Sequence, residues 1–169
     1  MFDIREIPVT MVITFEELAD IRRRHPGKTI VYGAGVFDLL HSGHIEGLNF
    51  RRSLGDILVC GVDSDERTIE RKRPPVHSEK DRLYVIDTLK PVDYTFLIPP
   101  LEGSNTMSML VVHNLKPDIY VEYKDNEWRW SQTDRDYIKS LGTTLIFDTQ
   151  PKRDSTSDII ARIKERKEP

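Results

Sequence analysis

Apolar and polar positions follow two different periods along this chain of 169 residues. Short continuous apolar runs are typical of strands that are buried on both faces. Between them lie longer segments with apolar positions three and four residues apart, which places those residues on one face of a helix. The apolar runs predict strands at Thr29–Gly33, Asp56–Val62, Asp93–Ile98, Asp118–Val121 and Thr143–Phe147.

Capping residues mark several helix ends between these strands. Thr14 and Glu17 have the spacing of a capping box, which predicts that the first helix begins at Thr14. Ser78, and Ser155 or Thr156, stand where the N-cap of a later helix is expected. The predicted helices are Thr14–Arg24, Gly43–Leu54, Asp65–Arg71, Ser78–Leu89, Asn105–Asn114, Thr133–Leu141 and Ser155–Lys164.

Regular alternation of buried strands with helices indicates a parallel sheet that is covered on both faces. With right-handed crossovers, we predict an α/β fold: a single doubly wound, Rossmann-like domain with a five-stranded parallel sheet. This domain would span residues 1–169, with residues 1–13 as a candidate N-terminal arm. The chain reversal that opens a ligand cleft in such sheets would lie beside the first strand.

Composition narrows the class of function. The net charge of −3 argues against a general nucleic-acid binder or an anionic-membrane binder. No apolar run is long enough to span a bilayer, and the first residues lack the features of a signal peptide. The single cysteine, Cys60, excludes an internal disulfide and a cysteine-based zinc cluster, and we expect it to be a buried core residue. These features predict a cytoplasmic protein.

The segment Gly35–His44, which we call the histidine turn, carries the strongest chemical signal. It joins the first strand to the next helix and contains Asp38, His41 and His44. The two histidines could bond backbone groups, form part of a metal site, or bind phosphate together with helix N-terminal amides. Phosphate binding is favoured because positions three apart share a helix face and Gly43 permits close backbone approach. No other His or Cys is placed to complete a metal site.

A dinucleotide-binding loop fits this segment poorly. Gly33 and Gly35 begin a glycine fingerprint, but the third glycine that it requires is replaced by Asp38. No Walker A lysine follows the loop. The sequence therefore disfavours an oxidoreductase of the Rossmann type.

The histidine turn resembles the GxFDxxHxGH motif of the cytidylyltransferase-like nucleotidyltransferases, and it matches at every fixed position. Further segments are similar to other parts of that family, and the resemblance is closest to the ADP-heptose synthase and glycerol-3-phosphate cytidylyltransferase branch. The resembling segments are Gly35–His44, Leu54–Asp65, Arg73–Val76, Leu115–Val121 and Ser155–Ile160.

The resemblance implies a reaction in which a substrate phosphate attacks the α-phosphate of a nucleoside triphosphate and pyrophosphate leaves. It implies that Mg²⁺ accompanies the triphosphate, held mainly by phosphates and waters. Residues implied at the catalytic centre are His41, His44, Lys72 and Arg153, with Arg71 as the alternative to Lys72. Residues implied in nucleotide binding are Gly35, Val36, Phe37, Asp38, Gly43, Asp63, Ser155, Thr156 and Ser157.

The partners are only partly specified. The resemblance implies CTP or ATP and a small phosphate- or phosphonate-bearing acceptor, and relatives are often homodimers. Residues 122–130 depart from the family's Lys-Gly-Gly-Asp-Tyr pattern, so the acceptor stays open. Trp128 and Trp130 in this stretch could cover a substrate, form a subunit contact or pack as ordinary side chains. A catalytically inactive nucleotide-binding, sensing or assembly module is the alternative function.

Overall fold

The computed structural model describes residues 12–71, 73–100, 106–150 and 154–166. These residues contain a five-stranded parallel sheet with the strand order β3-β2-β1-β4-β5. The strands are β1 (Ile30–Gly35), β2 (Ile57–Asp63), β3 (Tyr94–Ile98), β4 (Ile119–Tyr123) and β5 (Thr144–Asp148). The helices are α1 (Leu18–Arg24), α2 (Ser42–Ser53), α3 (Asp65–Arg71), α4 (Glu79–Asp87), α5 (Thr106–Leu115), α6 (Gln132–Ser140) and α7 (Thr156–Glu165).

The predicted fold class is confirmed. β1 is the central strand and pairs in parallel with β2 on one side and β4 on the other. Chain order therefore reverses at β1, which opens the cleft beside the histidine turn, where ligands bind in such sheets. None of the helices in the described ranges is long and apolar enough to cross a membrane.

Side chains of β1 divide the core into two layers. Ile30 and Tyr32 point to the face covered by α1, α5 and α6, whereas Val31 points to the face covered by α2 and α4. Cys60 lies in the second layer with 0% exposure, and burial raises the pKa of its thiol to about 12. The prediction that Cys60 is a core residue is confirmed, and its thiol stays protonated at neutral pH.

The first helix differs from its prediction. The Glu17 carboxylate accepts a hydrogen bond from the Thr14 N–H at 2.7 Å, which is one half of the predicted capping box. However, α1 begins at Leu18, whose N–H donates to the Phe15 carbonyl in a tight turn. The predicted start at Thr14 is therefore wrong, because the capping side chain closes a turn that precedes the helix.

Two further features were not anticipated. The Ile13 N–H donates to the Thr95 carbonyl at 2.8 Å, so the described end of the predicted arm pairs with the edge of the sheet. Residues 1–11 lie outside the described part of the chain. A 3₁₀ helix, Lys124–Arg129, follows β4 directly and places its side chains beside the carboxyl ends of the strands.

Candidate active site

The histidine turn holds two residues in a conformation that L-amino acids rarely adopt. Phe37 has φ +54° and Leu39 has φ +46°, and neither is glycine. Each costs about 1–2 kcal/mol in backbone energy. Such residues persist only where the surrounding structure fixes them, and they concentrate at functional sites. The ring of Phe37 is buried, and the neighbouring Asp38 is buried as well.

Asp38 connects the histidine turn to two other segments. Its buried carboxylate accepts hydrogen bonds from the N–H groups of Val76 and His77 and from Arg73, at 3.0 to 3.1 Å. Its carbonyl accepts a hydrogen bond from the Thr156 hydroxyl at 2.7 Å. Burial by itself would raise the pKa of Asp38, but these donors to the carboxylate outweigh burial and hold the pKa below its ordinary value. Asp38 is therefore a structural centre of the site.

The two histidines stack on each other at the start of α2. His41 is the N-cap residue, and its ring centroid lies 3.9 Å from that of His44. Nδ1 of His44 faces the His41 N–H at 3.4 Å. Because this nitrogen acts as the acceptor, a neutral His44 carries its proton on Nε2 and can donate from there. The stacked pair lines a cleft that is open to solvent, together with Tyr123 and the start of α7.

Burial lowers the pKa of His41, while the carboxylates of Asp154 and Asp158 partly oppose that effect. We expect His41 to titrate below 6.5 in the free protein and to titrate at higher pH when a phosphate-bearing ligand is bound. Since the folded-state pKa is depressed, protonation favours the unfolded chain, and the stability that His41 contributes is lost as pH falls below about 6.5. NMR titration of the imidazole Cε1–H measures this value. A free-state pKa at or above 6.5 would contradict the expectation.

The start of α7 faces the histidines across the cleft. Ser155 is its N-cap, because the side chain accepts from the Asp158 N–H at 3.1 Å. The Ser155 hydroxyl lies 2.6 Å from the Asp158 carboxylate, and the Thr156 hydroxyl donates to Asp38. Ser157 lines the cleft beside His44. These contacts leave the helix N-terminal amides and the Ser157 hydroxyl as the groups best suited to meet phosphate oxygens.

Gly43 sets the distance between the two helix starts. A Cβ at this position would lie 3.1 Å from the Asp154 carbonyl and 3.1 Å from the His41 ring. A larger residue would therefore require the Asp154 backbone or the His41 ring to shift by a few tenths of an ångström. The close approach predicted at Gly43 occurs here between two protein segments. Gly35 is similarly constrained, because its Cβ would lie 3.2 Å from the Phe37 ring.

The cleft continues past Gly35 and Val36 into a second part, which we call the arginine side. It is lined by side chains from β1, β2, α3, β4 and the 3₁₀ helix, and its volume is about 690 Å³ including the portion open to solvent. Among the side chains that line it are Tyr32, Asp63, Arg67, Arg71, Glu122 and Arg129.

Guanidinium groups dominate the charge of the arginine side. Arg67 pairs with Asp63 at 2.6 Å and is buried. Burial lowers the pKa of Arg71, and the neighbouring cations Arg67 and Arg129 lower it further. Three guanidinium groups therefore lie near one another in a cavity that also contains the carboxylates of Asp63 and Glu122, and an anion entering here would reduce the repulsion among the cations.

Glu122 brings a carboxylate to the same cavity. Its oxygens accept from the Tyr120 hydroxyl at 3.1 Å, from the Tyr123 N–H at 2.8 Å and from the Asn126 amide at 2.9 Å. All three donors are neutral, so the contacts orient the carboxylate without cancelling its charge. Glu122 can therefore accept hydrogen bonds from a hydroxyl or an ammonium group of a ligand.

The structure brings most of the predicted site residues to this one cleft. Lys72 and Arg153 lie outside the described residues, so their predicted contacts stay predictions. Arg71, the alternative to Lys72, lines the arginine side. The Val36 carbonyl accepts a hydrogen bond from the buried Arg82.

Sequence reasoning missed several residues that line the cleft. Tyr123, Asn126 and Arg129 come from the end of β4 and the 3₁₀ helix, where no periodic pattern signals a shared face. The departure of this stretch from the family pattern was the only available signal. The two tryptophans of this stretch differ in burial: Trp130 is buried against Tyr120, whereas Trp128 is 78% exposed.

Known proteins resemble this chain in sequence and in structure. The bifunctional protein HldE of Syntrophotalea carbinolica is 34% identical over 161 residues, covering 92% of this chain and 31% of that protein. A lipopolysaccharide core biosynthesis protein of Thermoplasma volcanium is 33% identical, with a TM-score of 0.61, over 76% of this chain and all of that chain. Pantoate-β-alanine ligase of Francisella tularensis is 16% identical, covers 91% of this chain and 77% of that chain, and shares the fold with a TM-score of 0.57.

The match to HldE proteins has a limited extent. The chain spans about a third of the length of the curated relatives it matches, including HldE of Helicobacter pylori, which is 34% identical over 161 residues covering 90% of this chain and 31% of that protein. The family model described as cytidylyltransferase-like matches residues 32–162, which include the histidine turn and the start of α7. The chain therefore belongs to the cytidylyltransferase-like family of nucleotidyltransferases.

Proposed function

We propose that this protein transfers a CMP or AMP group from CTP or ATP to a small acceptor that bears a phosphate or phosphonate. An acceptor oxygen forms a bond to the α-phosphorus, the bond from that phosphorus to the α–β bridging oxygen breaks, and pyrophosphate leaves with the electron pair. The observation that carries the proposal is the stacked pair of His41 and His44 facing the start of α7 across one cleft. Asp38 ties both sides together.

The starts of α2 and α7 would each bind a different part of the triphosphate. His41 and His44 would donate to oxygens around the α-phosphorus, where charge grows as the new bond forms. The amides of α7 and the Ser157 hydroxyl would hold the leaving phosphates. Positioning and charge stabilisation supply most of the catalysis in phosphoryl transfer. These donors therefore provide the two effects that such a reaction needs. Lys72 and Arg153 are proposed as additional phosphate contacts.

Mg²⁺ is proposed to enter with the nucleotide. Within the described ranges, no group of three or more His, Cys, Asp or Glu side chains could hold a metal ion. The imidazoles, hydroxyls and amides of the cleft are suited to phosphate oxygens, which fits an ion whose ligands are phosphates and waters. Bound Mg²⁺ would neutralise part of the triphosphate charge.

The acceptor is proposed to occupy the arginine side. Arg71 and Arg129 would bind its phosphate or phosphonate, and Glu122 would bind a hydroxyl or ammonium group on the rest of the molecule. Gly35, Val36 and Tyr123 line both parts of the cleft, so an acceptor here would adjoin the α-phosphate.

Pyrophosphate release tests the function directly. CTP and ATP are each combined with sugar phosphates, polyol phosphates, amino-alcohol phosphates and phosphonates in the presence of Mg²⁺. We expect release with at least one pair, together with the matching nucleotidylated product. Tight nucleotide binding without turnover for any pair would contradict the proposal and would favour an inactive binding module. A homodimer is a separate prediction, which a molar mass from light scattering tests.

Glu122→Gln tests whether the acceptor binds in the arginine side. Because the amide cannot accept as strongly as the oriented carboxylate, we expect kcat/KM for the acceptor to fall about 10-fold or more, while KM for the nucleotide stays near wild type. Glu66→Gln on the surface of α3 is the matched control. Equal loss for nucleotide and acceptor, or no loss at all, would show that Glu122 does not contact the acceptor.

A further inference from the structure

Arg51 is a fully buried arginine behind the active site. It lies in the last turn of α2 with 0% exposure, and its Cζ lies 4.6 Å from the centroid of the Tyr123 ring. Among the described residues, no backbone or side-chain group forms a well-aligned hydrogen bond with Nε or either Nη atom. Burial by itself would lower the pKa of Arg51, but Tyr123, Cys60 and Asp148 together outweigh burial and raise the pKa. The guanidinium is therefore charged and faces an aromatic ring.

The surrounding backbone is shaped to admit this side chain. A Cβ on Gly33 of β1 would overlap with Nε and Cδ of Arg51, and a Cβ on Gly47 of α2 would lie 3.0 Å from its Nη1. The same point above Gly47 lies 3.9 Å from both the Tyr123 hydroxyl and the Asp148 carboxylate. Two glycines on separate elements thus leave room for one guanidinium, and one of them, Gly47, lies three residues after His44 in α2.

Tyr123 lines every part of the cleft. Its side chain lines the cavity beside Gly35 and His44, the cavity beside His41, and the arginine side beside Glu122. The guanidinium of Arg51 lies over the Tyr123 ring inside the protein. A cation–π contact strengthens when it is removed from water, as it is here.

A buried charge costs desolvation free energy, and here the contact with Tyr123 and the nearby Asp148 carboxylate more than offset that cost. We propose that Arg51 is a positioning residue: it holds the Tyr123 ring between the bound nucleotide and the acceptor, and so sets the approach of the acceptor oxygen to the α-phosphorus. This inference rests on the proposed function. Misplacement of a reacting group by about 1 Å can cost on the order of 100-fold in rate, so the ring position affects kcat.

Arg51→Met tests the role, because methionine keeps an apolar stem and removes the charge. We expect kcat to fall about 10- to 100-fold while KM for the nucleotide changes less than about threefold. The melting temperature of each variant is measured alongside kcat, so that a loss of folded protein is distinguished from a loss of turnover. Arg51→Lys should recover part of the activity. Arg52→Met is the matched control, because this neighbouring arginine pairs with Asp93 near the surface.

A double-mutant cycle tests whether Arg51 acts through Tyr123. In a Tyr123→Ala background, Arg51→Met should have little further effect on kcat, because the ring that it holds is gone. Independent, multiplying effects of the two substitutions would overturn the inference. An unchanged kcat in folded Arg51→Met would overturn it as well.

The ring itself gives a readout that needs no turnover. NMR of ring-labelled tyrosine should show the Tyr123 signals shifted and more mobile in Arg51→Met, and unchanged in Arg52→Met. Tyr123 signals that are identical in Arg51→Met and wild type would overturn the inference. Absence of turnover in the wild-type protein would count against the proposed function alone, so the two failures are distinguishable.

Discussion

Replacing either His41 or His44 with alanine is expected to lower turnover by about 100-fold or more, because each substitution removes a donor aimed at growing phosphoryl charge. The two rings stack at 3.9 Å and the His41 N–H faces Nδ1 of His44, so they act as one unit. The double variant should therefore lose little more than either single variant, as expected for residues that act together. Pyrophosphate release under saturating nucleotide and acceptor measures this loss.

The control separates chemistry from folding. His113→Ala removes an exposed imidazole of α5 and should leave turnover unchanged. The His41 and His44 variants should keep the wild-type circular dichroism spectrum, because both side chains are partly exposed. Turnover at the wild-type level in either histidine variant would contradict the proposed role of that histidine in stabilising the transition state. A loss confined to KM for the nucleotide would assign the pair to binding instead of transition-state stabilisation.

Asp38→Ala is expected to cost about 2–5 kcal/mol in the free energy of unfolding, and turnover should fall with it. Alanine would leave the Val76 and His77 N–H groups without their acceptor and would break the contact with Arg73. The Arg73 side chain is 39% exposed, so solvent screening makes its share the smaller one. The strained residues Phe37 and Leu39 would then lose the anchor that holds them.

The pH dependence of stability gives an independent test of Asp38. Because its folded-state pKa lies below the ordinary value, its contribution is fully present above about pH 3.9 and is lost as pH falls through the folded pKa. Asp38→Ala should therefore flatten this part of the acid-unfolding curve measured by urea denaturation. Asp136→Ala, on the surface of α6, is the control. An equal acid dependence in wild type and Asp38→Ala would contradict the assignment.

The strands were readable from the sequence because burial on both faces leaves continuous apolar runs, which is a local signal. β1 was predicted at Thr29–Gly33 and is observed at Ile30–Gly35. The start of α1 was wrong because the Thr14–Glu17 pattern has the same spacing in a turn as in a helix. The 3₁₀ helix Lys124–Arg129 carries no periodic pattern and was not predicted.

The site residues that could be predicted are likewise those that belong to a local sequence pattern. The histidine turn and the start of α7 were identified because each has a contiguous motif. Arg51, Glu122 and Arg129 have no such motif, and their meaning depends on neighbours far along the chain. Thr156 is 118 residues from Asp38, yet its hydroxyl donates to the Asp38 carbonyl. No local rule predicts such a pairing.

By itself the sequence determined the fold class and the chain reversal beside β1, and it predicted phosphate binding at the histidine turn, because hydrophobic period and contiguous motifs are local properties of the chain. Only the tertiary structure decided that Asp38 connects three segments of the site, that Ser155 and not Thr156 is the N-cap of α7, and that three arginines and Glu122 share one cavity. The physical reason is that hydrogen bonds, burial and charge proximity depend on distances across the folded sheet, where positions remote in sequence become neighbours.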